Sequence, residues 1–461
     1  MSSLRDGVRT DLAPGDALRL AISLQRSGHL QEAAESYRRI LAVDAACPEA
    51  HHLLGVALHR LGQGADGLSH VRKAVELAPE STPALNDLGN VLGEEGLFDE
   101  AEAAYRQVIA AKPEHADAHS NLGVLLKKMG RLEDAVEALR HAVALDPGHG
   151  AAWHNLGNTL RKLHRFEEAL SAYQEAIKVR PYDAGSYENL GRILCACGRA
   201  REAAAVYETW LAREPLNPIP RHMLAATSGK SAPQRADDDY VRATFDRFAP
   251  TFDDVLERLD YQAPKLVAES LSAVLGEGAG KLSILDAGCG TGLCGPLLRP
   301  LAVDFVGVDI SPGMLRQARA RMTYDDLVES EMVSFLRASS RKFDAIVSAD
   351  TLCYFGGLAD VTGALACTVR PGGYLAFTVE LASPEPPDGF RLEANGRYVH
   401  GEGYVCNALA AAGFHEVMTD KGTLRMEAGR PVRGLIVAAR RSERRKQTRT
   451  DGDARCPSPT P

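Results

Sequence analysis

The chain has 461 residues, of which 45% are hydrophobic and 25% are charged. This length exceeds what one ordinary hydrophobic core can serve, so it predicts two or three globular domains. The formal net charge of -8 provides no overall attraction to nucleic acids or to anionic membranes. Composition therefore excludes a protein that binds such partners through its bulk charge.

The nine cysteines are an odd number, scattered along the chain and mostly set in apolar runs. This usage predicts a reducing compartment and no disulfide framework. Cys195 and Cys197 are spaced CxC without a second pair at zinc spacing, so no metal site is expected. The first residues do not read as a signal peptide, and no apolar run reaches the length of a membrane span. We therefore expect a cytoplasmic protein.

A period of 34 residues runs through the first half of the chain. It places five glycines at equal intervals, and five prolines keep the same spacing. The residues concerned are Gly55, Gly89, Gly123, Gly157 and Gly191, and Pro79, Pro113, Pro147, Pro181 and Pro215. This pattern resembles the tetratricopeptide repeat, a pair of helices with small residues where the two helices cross. The resemblance implies six units, at 14 to 47, 48 to 81, 82 to 115, 116 to 149, 150 to 183 and 184 to 217, stacked into an all-α superhelix with a concave groove.

Polar side chains recur at two positions of these repeats. In similar arrays such amides pair with the main chain of a bound peptide, which predicts a protein or peptide partner. The predicted groove residues are Asp87, Asn90, Asn121, Asn155, Asn158 and Asn189. They are also common consensus residues, and the nearby Lys127, Lys128, Arg161 and Lys162 form either a basic strip or a solvated face.

From residue 282 onward, predicted strands and helices alternate, which is typical of a parallel sheet that binds ligands at the carboxyl ends of its strands. The first strand runs into a turn containing Gly288, Gly290 and Gly292. Glycines at this spacing allow positive φ and bring N–H groups close to a ligand at the start of a helix. Because Gly290, Gly292 and Gly295 also satisfy GxGxxG, the turn alone leaves two cofactor classes open.

Asp309 ends the second predicted strand, and an acid there can accept both hydroxyls of a ribose. Both cofactor classes contain adenosine, so this role of Asp309 does not decide between them. The alternative is that Asp309 simply caps the following helix.

The string LDAGCGTG, residues 285 to 292, resembles motif I of class I S-adenosylmethionine-dependent methyltransferases. With the repeats and an antiparallel pair of strands expected at the end, the chain resembles predicted methyltransferases that carry tetratricopeptide repeats. The resemblance implies a Rossmann-like α/β sheet of seven strands and S-adenosyl-L-methionine as cofactor. The implied cofactor residues are Asp286, Gly288, Cys289, Gly290, Gly292, Asp309, Ile310, Glu331, Met332 and Asp350. Near the third strand, Asp325 and Asp326 compete with Glu331 for the adenine.

Four polar residues near the ends of the fourth and fifth strands and beyond them are candidates for the acceptor side: Asp350, Tyr354, Glu380 and His400. A protonated acceptor needs a base, and histidine or a carboxylate in a dry site can provide one. The fourth strand lacks the NPPY or DPPY sequence of enzymes that methylate amino groups of nucleic acids, which argues against DNA bases.

The predicted layout is therefore a repeat array over 14–217, a capping helix and linker over 218–239, and a methyltransferase domain over 240–440. Within that domain we expect a lid helix over 240–275, with an apolar face of Phe245, Phe248, Phe252 and Leu256, and a core over 280–440. The basic and proline-rich stretch 441–461 is expected to be disordered.

The predicted function is methyl transfer to an unidentified acceptor, with the groove recruiting a protein substrate or partner. The alternatives are an adaptor with a non-catalytic cofactor domain and an NAD-dependent oxidoreductase.

Overall fold

The computed structural model describes residues 14–229, 232–276, 282–427 and 429–443. The chain divides into two compact units, Met1–Leu194 and Cys195–Pro461. Most of the expected C-terminal tail, from residue 444 onward, lies outside the described residues. Across the described ranges, every helix is too short or too polar to cross a membrane.

Helices in consecutive pairs build the repeat array, and the pairs begin at residues 14, 48, 82, 116, 150 and 184. The array is therefore all-α with a period of 34 residues, as predicted. The division between the two units falls inside the eleventh helix. The helices are α1 Pro14–Arg26, α2 Leu30–Val43, α3 Pro48–Arg60, α4 Gly64–Leu77, α5 Thr82–Glu94, α6 Phe98–Ala111, α7 Ala116–Lys128, α8 Leu132–Leu145, α9 Gly150–Lys162, α10 Phe166–Val179, α11 Ala184–Ala196 and α12 Ala200–Arg213.

Small residues allow close helix packing within each repeat. A Cβ atom added to Gly157 would come within 2.7 Å of the ring of Tyr173, which is completely buried. Ala101 and Ala169 are also completely buried, each on the second helix of its pair. The first helices of neighbouring repeats, α3, α5, α7 and α9, contact one another in series. Together these first helices form one continuous face of the first unit.

The second unit continues from α12 with four more helices before its sheet: α13 Pro218–Thr227, α14 Asp238–Phe248, α15 Phe252–Arg258 and α16 Ala263–Leu275. The strands that follow are β1 Leu282–Ala287, β2 Ala302–Asp309, β3 Asp326–Glu329, β4 Phe343–Ser348, β5 Val369–Leu381, β6 Phe390–Leu392, β7 Tyr398–His400, β8 Phe414–Glu427 and β9 Arg430–Arg441. The helices among them are α17 Gly295–Leu298, α18 Pro312–Ala320, α19 Met332–Ala338, α20 Ala359–Thr368 and α21 Glu402–Ala411.

A mixed sheet forms the centre of the second unit. Strands β3, β2, β1, β4 and β5 are parallel neighbours in that order, and β9 joins β5 antiparallel and pairs with β8. These seven strands confirm the predicted Rossmann-like methyltransferase fold with its antiparallel ending. The hairpin β6–β7 is an addition, which joins the carboxyl end of β5 through Glu380 and Leu381.

Apolar residues cover both faces of this sheet. One core contains residues of α19, α20 and α21, and the other contains Val267 and Leu271 of α16 with Ile284 and Phe305 of the sheet. Helix α16 is therefore a layer of the fold. The expected lid helix over 240–275 is corrected accordingly, because only α14 and α15 remain available to cover a ligand site.

Candidate functional site

The glycine turn after β1 folds back onto the end of β2. The N–H groups of Gly288 and Cys289 both donate to the carbonyl of Val308, at 2.8 and 3.0 Å. Gly288 and Gly290 have φ of +81° and +55°, which favours glycine. A Cβ added at Gly290 would meet no atom within 4 Å, so there is open space above the turn. The turn therefore offers a cradle in which a ligand can approach the main chain closely.

Asp309 lies at the end of β2, beside this cradle. Its carboxylate oxygens accept one main-chain N–H each, from Gly290 and from Ser311, both at 2.8 Å. Burial raises the pKa of Asp309, and these two N–H groups oppose the rise. Each oxygen keeps lone-pair capacity for a further donor. The arrangement fits an acceptor of ribose hydroxyls, and the role of Asp309 stays a prediction.

The three acids considered for the adenine lie at opposite ends of β3. Asp325 and Asp326 lie where β3 begins, and Asp325 accepts the N–H of Phe305 at 2.8 Å. Glu331 lies beyond the carboxyl end of β3 and caps α19, accepting the N–H groups of Val333 and Ser334 at 2.9 and 2.7 Å. Of the competing acids, Glu331 is therefore the one at the ligand edge of the sheet, and Met332 follows it there.

Asp286, which was expected to contact the cofactor, is completely buried. Its side chain has no exposed surface and accepts the hydroxyl of Tyr324 at 2.7 Å. Burial raises the pKa of Asp286 to about 7. The carboxyl group thus lies beneath the glycine turn rather than in the cradle. Cys289 is buried as well, whereas Ile310 is half-buried and its carbonyl accepts Arg242 Nε at 3.3 Å.

Helices α14 and α15 cover the ligand edge of the sheet through two carboxylates. Asp246 of α14 accepts the hydroxyl of Ser311 at 2.6 Å and the N–H of Gly313 at 2.9 Å. Asp253 of α15 accepts the hydroxyl of Thr291 at 2.6 Å. Because these bonds reach the turns after β1 and β2, α14 and α15 form a lid over the cradle.

Aromatic residues of the lid extend towards the end of β4. The ring of Phe245 lies edge-on to Tyr354, with 5.5 Å between the ring centroids. Phe248 packs against Phe252 at 5.1 Å. The space between the lid and the end of β4 therefore has an aromatic wall.

The sequence analysis missed a buried charge network at the ends of β4, β5 and β8. Arg425 is 1% exposed and donates to Asp350 at 2.6 Å, to Glu427 at 2.7 Å and also to Glu380. Arg397 pairs with Glu380 at 3.3 Å and with Glu427 at 2.5 Å. Two cations and three carboxylates leave the network, which we call the Arg425 network, with a formal charge of -1.

The arginines and carboxylates of the Arg425 network each favour the charged form of the other, as the pKa shifts of Glu427 and Arg425 show. Burial acts to raise the pKa of Glu427, but Arg397 and Arg425 lower it to about 2. Burial acts to lower the pKa of Arg425, and Asp350, Glu380 and Glu427 together raise it. The sequence shows only an arginine between two apolar residues, Leu424 and Met426, and that signal does not identify its partners.

The four candidates for the acceptor side have different surroundings. His400 has no exposed surface, its Nε2–H donates to the carbonyl of Phe355 at 2.8 Å, and burial lowers its pKa to about 4. Burial and the lowered pKa make His400 a weak candidate for a base, and its role stays a prediction. Glu380 is committed to two arginines. Asp350 and Tyr354 remain next to the lid.

The stretch between α13 and α14 was expected to be a linker, but part of it is bound to the second unit. The carbonyl of Gln234 accepts the N–H groups of Gly356 and Gly357, both at 2.8 Å. The N–H of Ala236 donates to the carbonyl of Tyr354 at 2.8 Å. This bound segment, residues 233–236, is called the strap below. It is not a free linker, because its main chain is paired with residues 354–357, which follow β4.

The predicted groove residues of the repeats form side-chain hydrogen bonds with one another and with neighbouring residues of the array. Asn90 accepts the hydroxyl of Tyr105 at 2.7 Å, and Asn158 accepts that of Tyr173 at 2.8 Å. Asn155 accepts Lys127 at 3.1 Å. Of the other three, Asp87 accepts Asn90 at 3.2 Å, Asn121 donates to Asn86 at 3.1 Å, and Asn189 donates to Asn158 at 3.2 Å. These side chains are half-buried, and their binding of a peptide stays a prediction.

Comparisons with known proteins agree with both halves of this description. A family model described as a methyltransferase domain matches residues 284–373. Models of the tetratricopeptide repeat match 18–82, 92–158, 150–183 and 186–219. The chain therefore carries tetratricopeptide repeats followed by a stretch that matches a methyltransferase domain. In the part of the chain that the structure describes, no three His, Cys, Asp or Glu side chains are grouped to hold a metal ion.

Individual relatives named as methyltransferases match about a third of this chain. Methyltransferase-like protein 27 of Homo sapiens is 34% identical over 148 residues, which is 30% of this chain and 57% of that protein. A malonyl-[acyl-carrier protein] O-methyltransferase of Pseudescherichia vulneris is 33% identical over 148 residues, 32% of this chain and 56% of that one. The chain thus spans little more than half the length of these relatives.

Among solved structures, Pseudomonas aeruginosa PilF is 19% identical with a TM-score of 0.40, and the match covers 44% of this chain and 92% of PilF.

Proposed function

We propose that this chain transfers a methyl group from S-adenosyl-L-methionine to an acceptor, and that its repeats recruit a protein partner. The observation that carries the proposal is the cradle above Gly290 beside Asp309, whose oxygens are held by two main-chain N–H groups. The match to a methyltransferase domain favours S-adenosyl-L-methionine over a dinucleotide. The cofactor supplies an electrophilic methyl carbon, and this chain's residues hold it and exclude water.

Each proposed contact uses a group described above. Asp309 accepts the ribose hydroxyls, and Glu331 with Met332 lies beside the adenine. Main-chain groups of the glycine turn approach the amino-acid part of the cofactor. The lid closes over these groups through Asp246 and Asp253, which keeps water away from the reacting methyl group.

Calorimetric titration of the full chain with S-adenosylmethionine and S-adenosylhomocysteine tests the cofactor, with NAD and NADP as controls. We expect micromolar binding of the two sulfur compounds only. Gly290→Arg fills the cradle and Asp309→Ala removes the ribose acceptor, so each should weaken binding at least about tenfold. Asp304→Ala is the matched control, because Asp304 lies at the other end of β2 and pairs with Arg341 at 2.7 Å. Binding of NAD instead overturns the reaction class, and binding of none of the four favours the adaptor.

The proposed partner site is a group of cations on the continuous face of the repeats. Lys127 and Lys128 end α7, and Arg161 and Lys162 end α9. Within the described residues, none of the four lies within ion-pair distance of a carboxylate. Burial, together with the other three cations, lowers the pKa of Lys127. The mutual repulsion is relieved when an anionic group binds, so we propose that the partner presents an acidic segment.

Fluorescence anisotropy of a labelled glutamate-rich peptide tests this partner site on the full chain. We expect binding that weakens with salt and falls at least about fivefold in Lys162→Glu. Lys73→Glu is the matched control, because Lys73 is exposed and already pairs with Glu76 at 2.9 Å. Equal losses in both variants would indicate bulk charge rather than this site.

A further inference from the structure

The carboxylate of Asp350 has one oxygen fixed and one oxygen free. Oδ2 accepts Arg425 at 2.6 Å, whereas Oδ1 is buried and has no hydrogen-bond partner among the described residues. Buried carboxylate oxygens almost always have partners, because an unpaired one loses its hydration without compensation. The free oxygen is therefore either a structural cost or a place for a ligand.

The surroundings of Asp350 hold this side chain in one orientation. Its N–H donates to the hydroxyl of Thr378 at 2.9 Å, and its φ is +54°, a left-handed conformation that is costly for a residue with a side chain. Arg425 is in turn held by Glu380 and Glu427. A strained residue that is fixed from two sides, with its free oxygen preserved, is typical of a binding group.

The free oxygen lies beside the proposed methyl-donor pocket. The next residue, Thr351, donates its hydroxyl to the carbonyl of Gly288 at 3.2 Å, and its side chain fills the space where a Cβ of Gly288 would lie. On the lid, the hydroxyl of Thr244 is also buried without a partner. Phe245 and Tyr354 provide the aromatic wall between the lid and the end of β4. An acceptor bound beside Asp350 would meet one fixed carboxylate oxygen.

We propose that Asp350 Oδ1 receives a hydrogen bond from the methyl acceptor, which is therefore an amine or a hydroxyl compound and not a free carboxylate. Arg425 is the positioning residue that holds Asp350 for this contact. The inference rests on the proposed function, since it concerns the acceptor of the same site. A free carboxylate would be repelled by Asp350, whose charge gives the Arg425 network its formal charge of -1. This acceptor class does not come from the relatives: the name malonyl-[acyl-carrier protein] O-methyltransferase specifies a malonyl group as the acceptor of that protein.

The transfer step balances with these groups alone. A lone pair of the acceptor nitrogen or oxygen forms the new bond to the methyl carbon. The carbon–sulfur bond breaks, and its electron pair stays on sulfur. The proton of the acceptor N–H or O–H leaves to Asp350 Oδ1 and from there to water when the lid opens.

Three small probes that share a benzene ring test the acceptor class: benzylamine, phenol and benzoate. Their binding to the full chain saturated with S-adenosylhomocysteine is measured by saturation-transfer NMR. We expect benzylamine and phenol to bind at least about tenfold more tightly than benzoate, because a charge-assisted hydrogen bond replaces a repulsion. In Asp350→Asn this ratio should fall to about one, while affinity for S-adenosylhomocysteine changes less than about threefold.

Two further variants separate the contact from a loss of folding. Arg425→Lys keeps the charge but not the three-way bonding, so the ratio should fall part of the way. Asp360→Asn is the matched control, since Asp360 is exposed on α20, and it should leave the ratio unchanged. A ratio of affinities does not depend on the fraction of folded protein.

Equal binding of benzoate and benzylamine, or no binding of any probe, overturns the inference. A loss of S-adenosylhomocysteine affinity in Asp350→Asn as large as the loss for benzylamine also overturns it, because Oδ1 would then serve the cofactor's ammonium group. Absence of S-adenosylhomocysteine binding to the unmodified chain would instead be a failure of the proposed function.

Discussion

The Arg425 network of the second unit is buried, whereas ion pairs between neighbouring repeats are more exposed. In the first unit, ion pairs such as Arg72 with Glu100 join neighbouring repeats at the surface, and the two side chains are about half exposed. In the second unit, Arg425 is buried and joins carboxylates that are far apart in the sequence. Exposed pairs add little to stability, whereas a buried ion depends on every partner. The repeats therefore tolerate changes of charge that the second unit does not.

The largest expected effect is the loss of Arg425. Arg425→Met leaves Asp350 buried without its cation and Glu380 with Arg397 alone, which should cost about 3–5 kcal/mol of the free energy of unfolding of the second unit. Hydrogen exchange in urea, resolved to β5 and β8, measures this loss in the second unit. Arg433→Met, at an exposed position of β9, should change little. If the two variants have equal stability, the buried network is not structurally important.

The pH dependence of stability provides a second test of buried charge in the second unit, through Asp286. Burial raises its folded pKa from 3.8 to about 7, so its contribution to stability is present below about pH 4 and is lost as the pH rises through about 7. Asp286→Asn stays neutral, so its stability relative to the unmodified chain should grow by as much as roughly 1.4 kcal/mol per pH unit and level off above pH 7. A difference that is constant between pH 5 and 8 would contradict the raised pKa.

In the repeats, shape should matter more than charge. Gly157→Ala forces a Cβ to within 2.7 Å of the Tyr173 ring, and overpacking of this kind costs about 1–3 kcal/mol. Gly93→Ala is the matched control, since its Cβ meets Leu125 at 3.4 Å and helix propensity improves. Hydrogen exchange resolved to α9 and α10 should show the loss locally. Equal protection in both variants would indicate that the tyrosine moves freely.

The smallest effect is expected for an exposed pair in the repeats. Arg72→Ala removes the 2.7 Å ion pair with Glu100 and should change the free energy of unfolding by no more than about 0.5 kcal/mol. Thermal unfolding at low and high salt measures it. A loss above about 2 kcal/mol would contradict the contrast between the two units.

Features encoded locally could be predicted from the sequence, and features assembled from distant segments could not. The 34-residue period specifies the start of each helix pair because each repeat contacts mainly its neighbours. The glycine turn and Asp309 are both visible because each lies directly after a strand. Asp350 with Arg425, by contrast, joins residues 75 positions apart, and only the antiparallel end of the sheet brings them together. The burial of His400 could not be predicted for a related reason: its residue type suggests a base, but it lies in the hairpin β6–β7, whose packing joins distant segments.

The strap has a consequence for how the two modules can be separated. His222 of α13 stacks on Tyr240 with 3.9 Å between ring centroids and donates to the carbonyl of Gly396 at 2.9 Å, and Gln234 follows with its two main-chain bonds. A fragment cut at residue 240, where family resemblance alone draws the border, would lose all of these bonds. A fragment that begins near residue 195 would keep them. The second compact unit therefore begins within a stretch that still matches a tetratricopeptide-repeat model, residues 186–219. A fragment designed to keep α13 and the strap must include the last part of the repeat sequence.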